Sequence, residues 1–142
     1  MNQTRLPLNR HQIPASPLVL GCMRFGGEWD GLPITDDLVH EGHQAVEAAL
    51  EIGINHYDLA DIYTRGKAEH VFGRLLSERK GLRDQIIIQS KCGIRLALED
   101  EGPQRYDTSG AHIQASVDGI LSRLGVEYLD IPLLHRPDPL AH

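Results

Sequence analysis

Four short apolar runs alternate with three amphipathic stretches along this chain, and that alternation limits the folds open to it. The first run, Leu18-Val19-Leu20 within residues 16–25, closes on Gly21 and meets the breaker Gly26-Gly27, which predicts a short buried strand. Thr35 then precedes Asp36 and Asp37, a cap followed by carboxylates at the positive end of a helix dipole. Leu38, Gly42, Ala45, Val46, Ala49 and Leu50 follow at helical spacing, and Gly53 supplies the stop. A second strand is predicted over residues 54–60. Ala68, Val71, Phe72, Leu75 and Leu76 then recur at i, i+3, i+4, i+7 and i+8, an amphipathic helix ended near Gly81. Residues 85–90 are rich in isoleucine and predict a third strand. Ile113, Val117, Ile120, Leu121 and Leu124 mark a third helix, capped by Thr108 or Ser109 and stopped at Gly125, and residues 128–134 predict a fourth strand. The order β-α-β-α-β-α-β calls for a parallel sheet with helices packed on it, since parallel neighbours are joined only by crossovers.

The 142 residues suffice for one domain with a real core. Against 14 Lys and Arg stand 20 Asp and Glu, a net charge of −6, which argues against binding to nucleic acid or to an anionic membrane surface. No run approaches the roughly 18 apolar residues of a membrane span, and the N-terminus lacks the apolar core of a signal peptide. Cys22 and Cys92 lie far apart and match no zinc or disulfide framework, so a reducing compartment, the cytoplasm, is expected. Residues 1–17, with Pro7, Pro14 and Pro17, read as a lead-in or small hairpin. Residues 95–110, with Glu99, Asp100, Glu101, Gly102 and Pro103, read as a long polar loop between the third strand and third helix.

Parallel α/β folds bind ligands at the carboxyl ends of their strands, and there this chain carries Asp58, Lys91 and His135. Strand alternation puts Gln85, Ile87, Gln89 and Lys91 on one face, Leu129, Ile131, Leu133 and His135 on one face, and Asp58 with Ile54 and His56. Tyr63 follows in the loop after the second strand. A free phenol holds its proton to about pH 10, and a nearby ammonium stabilises the phenolate. Lys91 can supply that ammonium to Tyr63, Asp58 can hold Lys91 charged and oriented, and His135 can donate to a carbonyl oxygen beside Tyr63. A proton donor with fixed donors around a developing alkoxide is what carbonyl reduction requires, the hydride coming from a cofactor.

At these residues the chain resembles the aldo-keto reductase superfamily. Tyr57-Asp58-Leu59-Ala60-Asp61-Ile62-Tyr63 is similar to its Asp-x-Ala-x-x-Tyr segment, followed by Lys67-Ala68-Glu69 and Phe72-Gly73-Arg74 where members carry Ser-Glu and Leu-Gly patterns. Ser90-Lys91-Cys92-Gly93 is similar to the lysine segment. Leu124-Gly125-Val126-Glu127-Tyr128-Leu129-Asp130, leading to Leu134-His135-Arg136-Pro137-Asp138, is similar to the histidine segment, with wording closest to a bacterial oxidoreductase subgroup. The resemblance implies the N-terminal half of a (β/α)8 barrel and NADPH-dependent reduction of aldehydes or ketones, with small carbonyl compounds as substrates. It implies that Tyr63 is the general acid, Lys91 the group that tunes it, Asp58 the partner of Lys91 and His135 the carbonyl-orienting residue. It also places Asp58, with the backbone of Met23 and Arg24, on the nicotinamide side, although Gly21-Cys22-Met23-Arg24 departs from the family's common Gly-x-Gly-Thr.

The family barrel has eight strands and the chain supplies four before His142, so a fragment of a longer reductase, or association with another chain, is expected. Open parallel edges are otherwise an aggregation liability. The alternative reading is a non-catalytic binding or assembly subunit that uses those edges. A third is a lyase forming a Schiff base on Lys91, against which Asp58 argues, because a counter-ion keeps lysine protonated. His40, His43 and Glu47 share a helical face, but no fourth ligand is evident and no metal is expected. Trp29, Phe25 and Tyr106 are candidates for a substrate pocket near the sheet end.

Overall fold

The computed structural model describes residues 12–97 and 102–136. Six strands are present among them: β1 (Leu20–Gly21), β2 (His56–Asp58), β3 (Ile87–Cys92), β4 (Ile94–Arg95), β5 (Arg105–Tyr106) and β6 (Ile131–Leu134). Helices α1 (Asp36–Glu51), α2 (Lys67–Glu78) and α3 (Gly110–Leu124) cross over between the parallel strands. The main sheet has the order β1-β2-β3-β6 and every pair in it is parallel. The expected βα alternation is therefore present, with one addition.

That addition corrects the reading of residues 95–110 as a loop. Ile94 pairs with Tyr106 and Arg95 with Arg105 in an antiparallel ribbon. Two-residue strands are too short to show a period in sequence; burial of Ile94 and the ion pair of Arg95 Nε with Asp107 at 2.7 Å hold this one. Glu99, Asp100 and Glu101 of the expected loop lie outside the described residues.

The caps behave as local chemistry requires. Thr35 Oγ1 accepts from the Leu38 N–H at 3.4 Å, and Ser109 Oγ, rather than Thr108, accepts from the His112 N–H at 3.3 Å. Gly125, at φ +66°, ends α3 in the left-handed region.

The two outer strands are shorter and wetter than predicted. β1 keeps only two residues, and Leu18 is 62% exposed where a buried run was expected; Leu134 in β6 is 51% exposed. Each of these strands has a single neighbour within the described residues, so neither backbone nor side chains are covered on the other side. Residues 1–11 of the predicted lead-in lie outside the described residues. Its last part is tied to the start of β2 by Asn55, which accepts from the Ser16 N–H at 2.8 Å and donates to Pro14 O at 3.0 Å.

The core lies between the sheet and the helices. Tyr57 and Ile88 point into it, with Val46, Phe72, Ile120 and Leu124, and the Tyr57 and Phe72 rings meet at 5.2 Å. Alternation sends His56, Asp58, Gln89 and Lys91 to the opposite face, beside Ile87, Ile131 and Leu133.

Three devices fix the layers. α2 and α3 touch at Gly73, where a Cβ would fall 2.3 Å from Arg123 O. Buried Glu69 on α2 accepts from Ser90 Oγ of β3 at 2.6 Å and pairs with Arg123 Nε of α3 at 2.7 Å. Asp130 accepts from the Ile88 N–H at 2.8 Å and pairs with Arg83 Nη2 at 2.9 Å, while that guanidinium lies 4.0 Å above the Tyr128 ring. The Asp130 clamp sets the start of β6 against β3. Among the described residues no helix is long and apolar enough to cross a membrane.

Candidate active site

Asp58 ends β2, Lys91 stands one residue from the end of β3, and His135 directly follows β6, so all three reach the same edge of the sheet. Hydrogen bonds continue the ladder just past the strand ends: the Leu59 N–H donates to Gln89 O at 2.8 Å, that of Asp61 to Lys91 O at 2.9 Å and that of His135 to Cys92 O at 2.8 Å. The first two carry the chain from β2 toward Tyr63 in a fixed direction.

Tyr63 is aimed by an unusual turn. Thr64 and Arg65, neither of them glycine, take φ of 47° and 59°, and Gly66 follows at 86°. Left-handed backbone at such residues costs of order 1–3 kcal/mol each and persists only where the surroundings hold it. Here buried Thr64 Oγ1 lies 2.7 Å from both Phe25 O and Tyr63 O and can donate to either.

Lys91 joins the group. Its Nζ lies 2.7 Å and 2.8 Å from the two Asp58 carboxylate oxygens, 2.8 Å from Leu59 O and 2.8 Å from the Tyr63 hydroxyl, with the side chain 13% exposed. Asp58, Leu59 and Tyr63 occupy all three N–H donors of an ammonium. A lysine so saturated is a fixed cation and not a free amine, which argues against the Schiff-base reading.

His135 completes the cluster by ring contact, edge-on to Tyr63 at a centroid distance of 5.6 Å and 83°. Its Nδ1 is buried with no hydrogen-bond partner among the described residues. Burial, then the positive charges of Lys91 and Arg136, lower its pKa below the ordinary imidazole value. At neutral pH the ring is uncharged and carries one N–H to donate.

Sequence reasoning placed Gln89 on the Lys91 face but gave it no part. In the structure its Nε2 donates to Asp58 Oδ1, which makes Gln89 a second anchor for the carboxylate. A lone amide has no spacing signature; its pairing with Asp58 across β2 and β3 is the signal that could have found it. His56 is buried on the same face, and burial lowers its pKa.

Met23 and Arg24 follow β1, where the Cys22 N–H donates to Asp58 O at 2.9 Å. The Arg24 guanidinium pairs with exposed Glu28 at 2.8 Å and not with the tetrad. Beside them nothing approaches within 4 Å of the place a Gly21 Cβ would take, and Met23 is exposed. The backbone there forms an open shelf next to Asp58. Of the three aromatic candidates, Trp29 meets Tyr63, with centroids 6.5 Å apart at 71°. Phe25 packs toward Gly42 of α1, and Tyr106 stands opposite Ile94 in the ribbon. His43 and Glu47 bridge α1 to α2 through Glu78 and Arg79. Both cysteines are free and buried.

Behind the tetrad, Asp61 has its pKa pushed up to about 6, first by burial and then by the Glu69 charge. The folded chain therefore holds this proton at higher pH than the unfolded chain. The linked stability is fully present below about pH 4 and is lost as pH rises through about 6. Asp61→Asn is expected to flatten that window and to raise stability at pH 7 by about 1 kcal/mol, solvent screening of a partly exposed group included. Urea unfolding of both proteins at pH 4 and pH 7 measures it; equal stability differences at the two pH values would contradict it.

Comparison with known proteins bears on the family and the fold. The profile described as "Aldo/keto reductase family" matches residues 17–142. The chain is 37% identical over 132 residues to a 6-dehydroglucose reductase of Agrobacterium fabrum, covering 91% of this chain and 42% of that protein. It is 42% identical over 98 residues to the uncharacterized oxidoreductase YcsN of Bacillus subtilis, covering 67% of this chain and 33% of that one. Among solved structures, the glycerol dehydrogenase AKR11B4 from Gluconobacter oxydans superposes with a TM-score of 0.76 at 33% identity, over 96% of this chain and 40% of that chain. The chain thus spans about 40% of the length of the relatives it matches, and its βα units correspond to half of their (β/α)8 barrel. On this likeness the chain belongs to the aldo/keto reductase family.

Proposed function

We propose that this chain supplies the proton-donating half of a reductase site that converts a small aldehyde or ketone to an alcohol with NADPH. The observation that carries the reading is the placing of Lys91 Nζ 2.8 Å from the Tyr63 hydroxyl while both Asp58 oxygens hold the same ammonium. Bound NADPH would supply the hydride to the carbonyl carbon. Met23 and Arg24 offer the backbone shelf and Asp58 its neighbouring wall for the nicotinamide.

The chain's own residues do the rest. His135, neutral and edge-on to Tyr63, presents an N–H to the carbonyl oxygen and orients it. The Tyr63 hydroxyl gives its proton to that oxygen as negative charge develops there. Lys91 stabilises the phenolate left behind, and Asp58 with Gln89 keeps Lys91 in place. Asp58, Lys91 and His135 stand at strand ends and Tyr63 on the fixed turn after β2, so the geometry is set before substrate arrives. Buried free cysteines fit a cytoplasmic setting.

The test is NADPH fluorescence titration and NADPH oxidation with simple aldehydes and ketones. The chain is assayed alone and after joining to the part of the Agrobacterium reductase beyond the matched region. Because the chain spans 42% of that relative, weak binding is expected from the chain alone, and both binding and oxidation from the joined protein. A joined protein that binds NADPH and reduces no carbonyl compound would overturn the reading.

A further inference from the structure

The connection between β1 and α1, residues 22–35, carries the chain's single tryptophan, Trp29. Three of the contacts that hold it come from the segment directly after Tyr63. Thr64 Oγ1 lies 2.7 Å from Phe25 O. Gly26, at φ +81°, presses so closely on Lys67 that a Cβ there would fall 2.6 Å from the Lys67 Cβ. Lys67 Nζ donates to Asp30 Oδ1 at 2.7 Å, with its side chain 11% exposed, and the same oxygen accepts the Leu32 N–H at 3.2 Å.

Each contact has a physical reason to persist. An ammonium as buried as that of Lys67 requires a counter-ion, and Asp30 supplies it. Glycine at position 26 allows the close approach and the left-handed backbone together. Between the Gly26 and Asp30 anchors the chain has only three residues, and Trp29 among them stands edge-on to Tyr63. The left-handed turn Thr64-Arg65-Gly66 thus does two things: it aims Tyr63, and it delivers the side chains that pin the tryptophan beside it.

We propose that Lys67 and Asp30 are positioning residues whose ion pair latches the β1–α1 connection over the site and fixes Trp29 as an aromatic wall against the apolar part of the carbonyl substrate. The substrate in this statement rests on the reductase reading; the latch itself does not. A cleft of about 570 Å³ between the connection and α1, lined by Gly27, Leu32, Pro33 and Leu38 among others, gives the connection room to move once the latch is cut. The tryptophan then leaves Tyr63 without the fold having to open.

Because Trp29 is the chain's one tryptophan, its fluorescence reads the latch directly. Lys67→Met and Asp30→Asn are expected to red-shift the emission and to raise acrylamide quenching severalfold, with the far-UV circular dichroism unchanged. Asp30→Asn keeps size and shape at a partly exposed position, so it tests the latch even where Lys67→Met fails to fold. The double variant should match the single ones, since either change breaks the same pair. Lys67→Arg should restore native quenching, and Arg74→Gln, which cuts an exposed pair with Asp36, should leave it untouched. Native quenching in Asp30→Asn would overturn the latch. In the joined reductase, Asp30→Asn should raise KM for the carbonyl compound more than it lowers kcat. An unchanged KM would remove Trp29 as a substrate wall, whereas absence of any reductase activity in the parent protein is a failure of the functional reading and leaves the fluorescence result standing.

Discussion

Tyr63→Phe is expected to lower carbonyl reduction by the joined protein by about 10²–10⁴-fold while NADPH affinity stays within about twofold. The substitution removes one oxygen and little else. Tyr63 is buried, and its ring keeps the edge contacts with Trp29 and His135 when the hydroxyl is gone. Lys91 retains the Asp58 carboxylate and Leu59 O, so the cation stays where it was. What is lost is the transferable proton, an interaction that matters only as the alkoxide forms. Steady-state kinetics with fluorescence titration of NADPH separate the two effects. Wild-type turnover in the variant would remove Tyr63 from the proton-donating role.

Glu69→Ala should destabilise the fold by about 3 kcal/mol, the low end of the range for breaking a buried ion pair because Arg123 reaches some water. Glu69 is fully buried and links three elements at once, through Ser90 Oγ at 2.6 Å and Arg123 Nε at 2.7 Å. Removing the carboxylate orphans a buried hydroxyl, unpairs a guanidinium and leaves a cavity between α2 and β3. A second sign accompanies the loss. The Glu69 charge helps to push the Asp61 pKa up, so in Glu69→Ala that value should fall back toward the ordinary carboxylate range. Urea unfolding measures the first effect and carboxyl-carbon NMR titration the second; stability within 1 kcal/mol of the parent at pH 7 would show that Glu69 is not the tie described.

Local signals carried well from sequence to structure. Thr35, Ser109 and Gly125 act where their types predict, because a cap satisfies neighbours three or four residues away. Period-two alternation put Lys91 with Gln89 and Asp58 with His56, and register brings the two rows onto one face. Tyr63 is different: nothing in its spacing shows that a left-handed turn through Thr64 and Arg65 would fold it back onto Lys91, and resemblance to known sequences carried that step. The outer strands were overestimated because exposure at an edge depends on what lies alongside, which an apolar run such as Leu18-Val19-Leu20 does not encode. Gln89 and the Lys67–Asp30 pair stayed invisible for another reason. Each acts across more than 30 residues of chain, with no motif to mark the partner.

The two faces of the main sheet set a rule for protein engineering. One side is sealed by hydrocarbon, while the other carries the polar side chains of buried His56 and of half-buried Asp58, Gln89 and Lys91. A donor segment grafted on to close the barrel therefore cannot be picked by matching hydrophobic volume, the usual criterion for recombining barrel fragments. It must bring hydrogen-bonding side chains or leave space for water, or the graft would bury an Asp–Lys pair in oil and forfeit several kcal/mol of hydration at the seam.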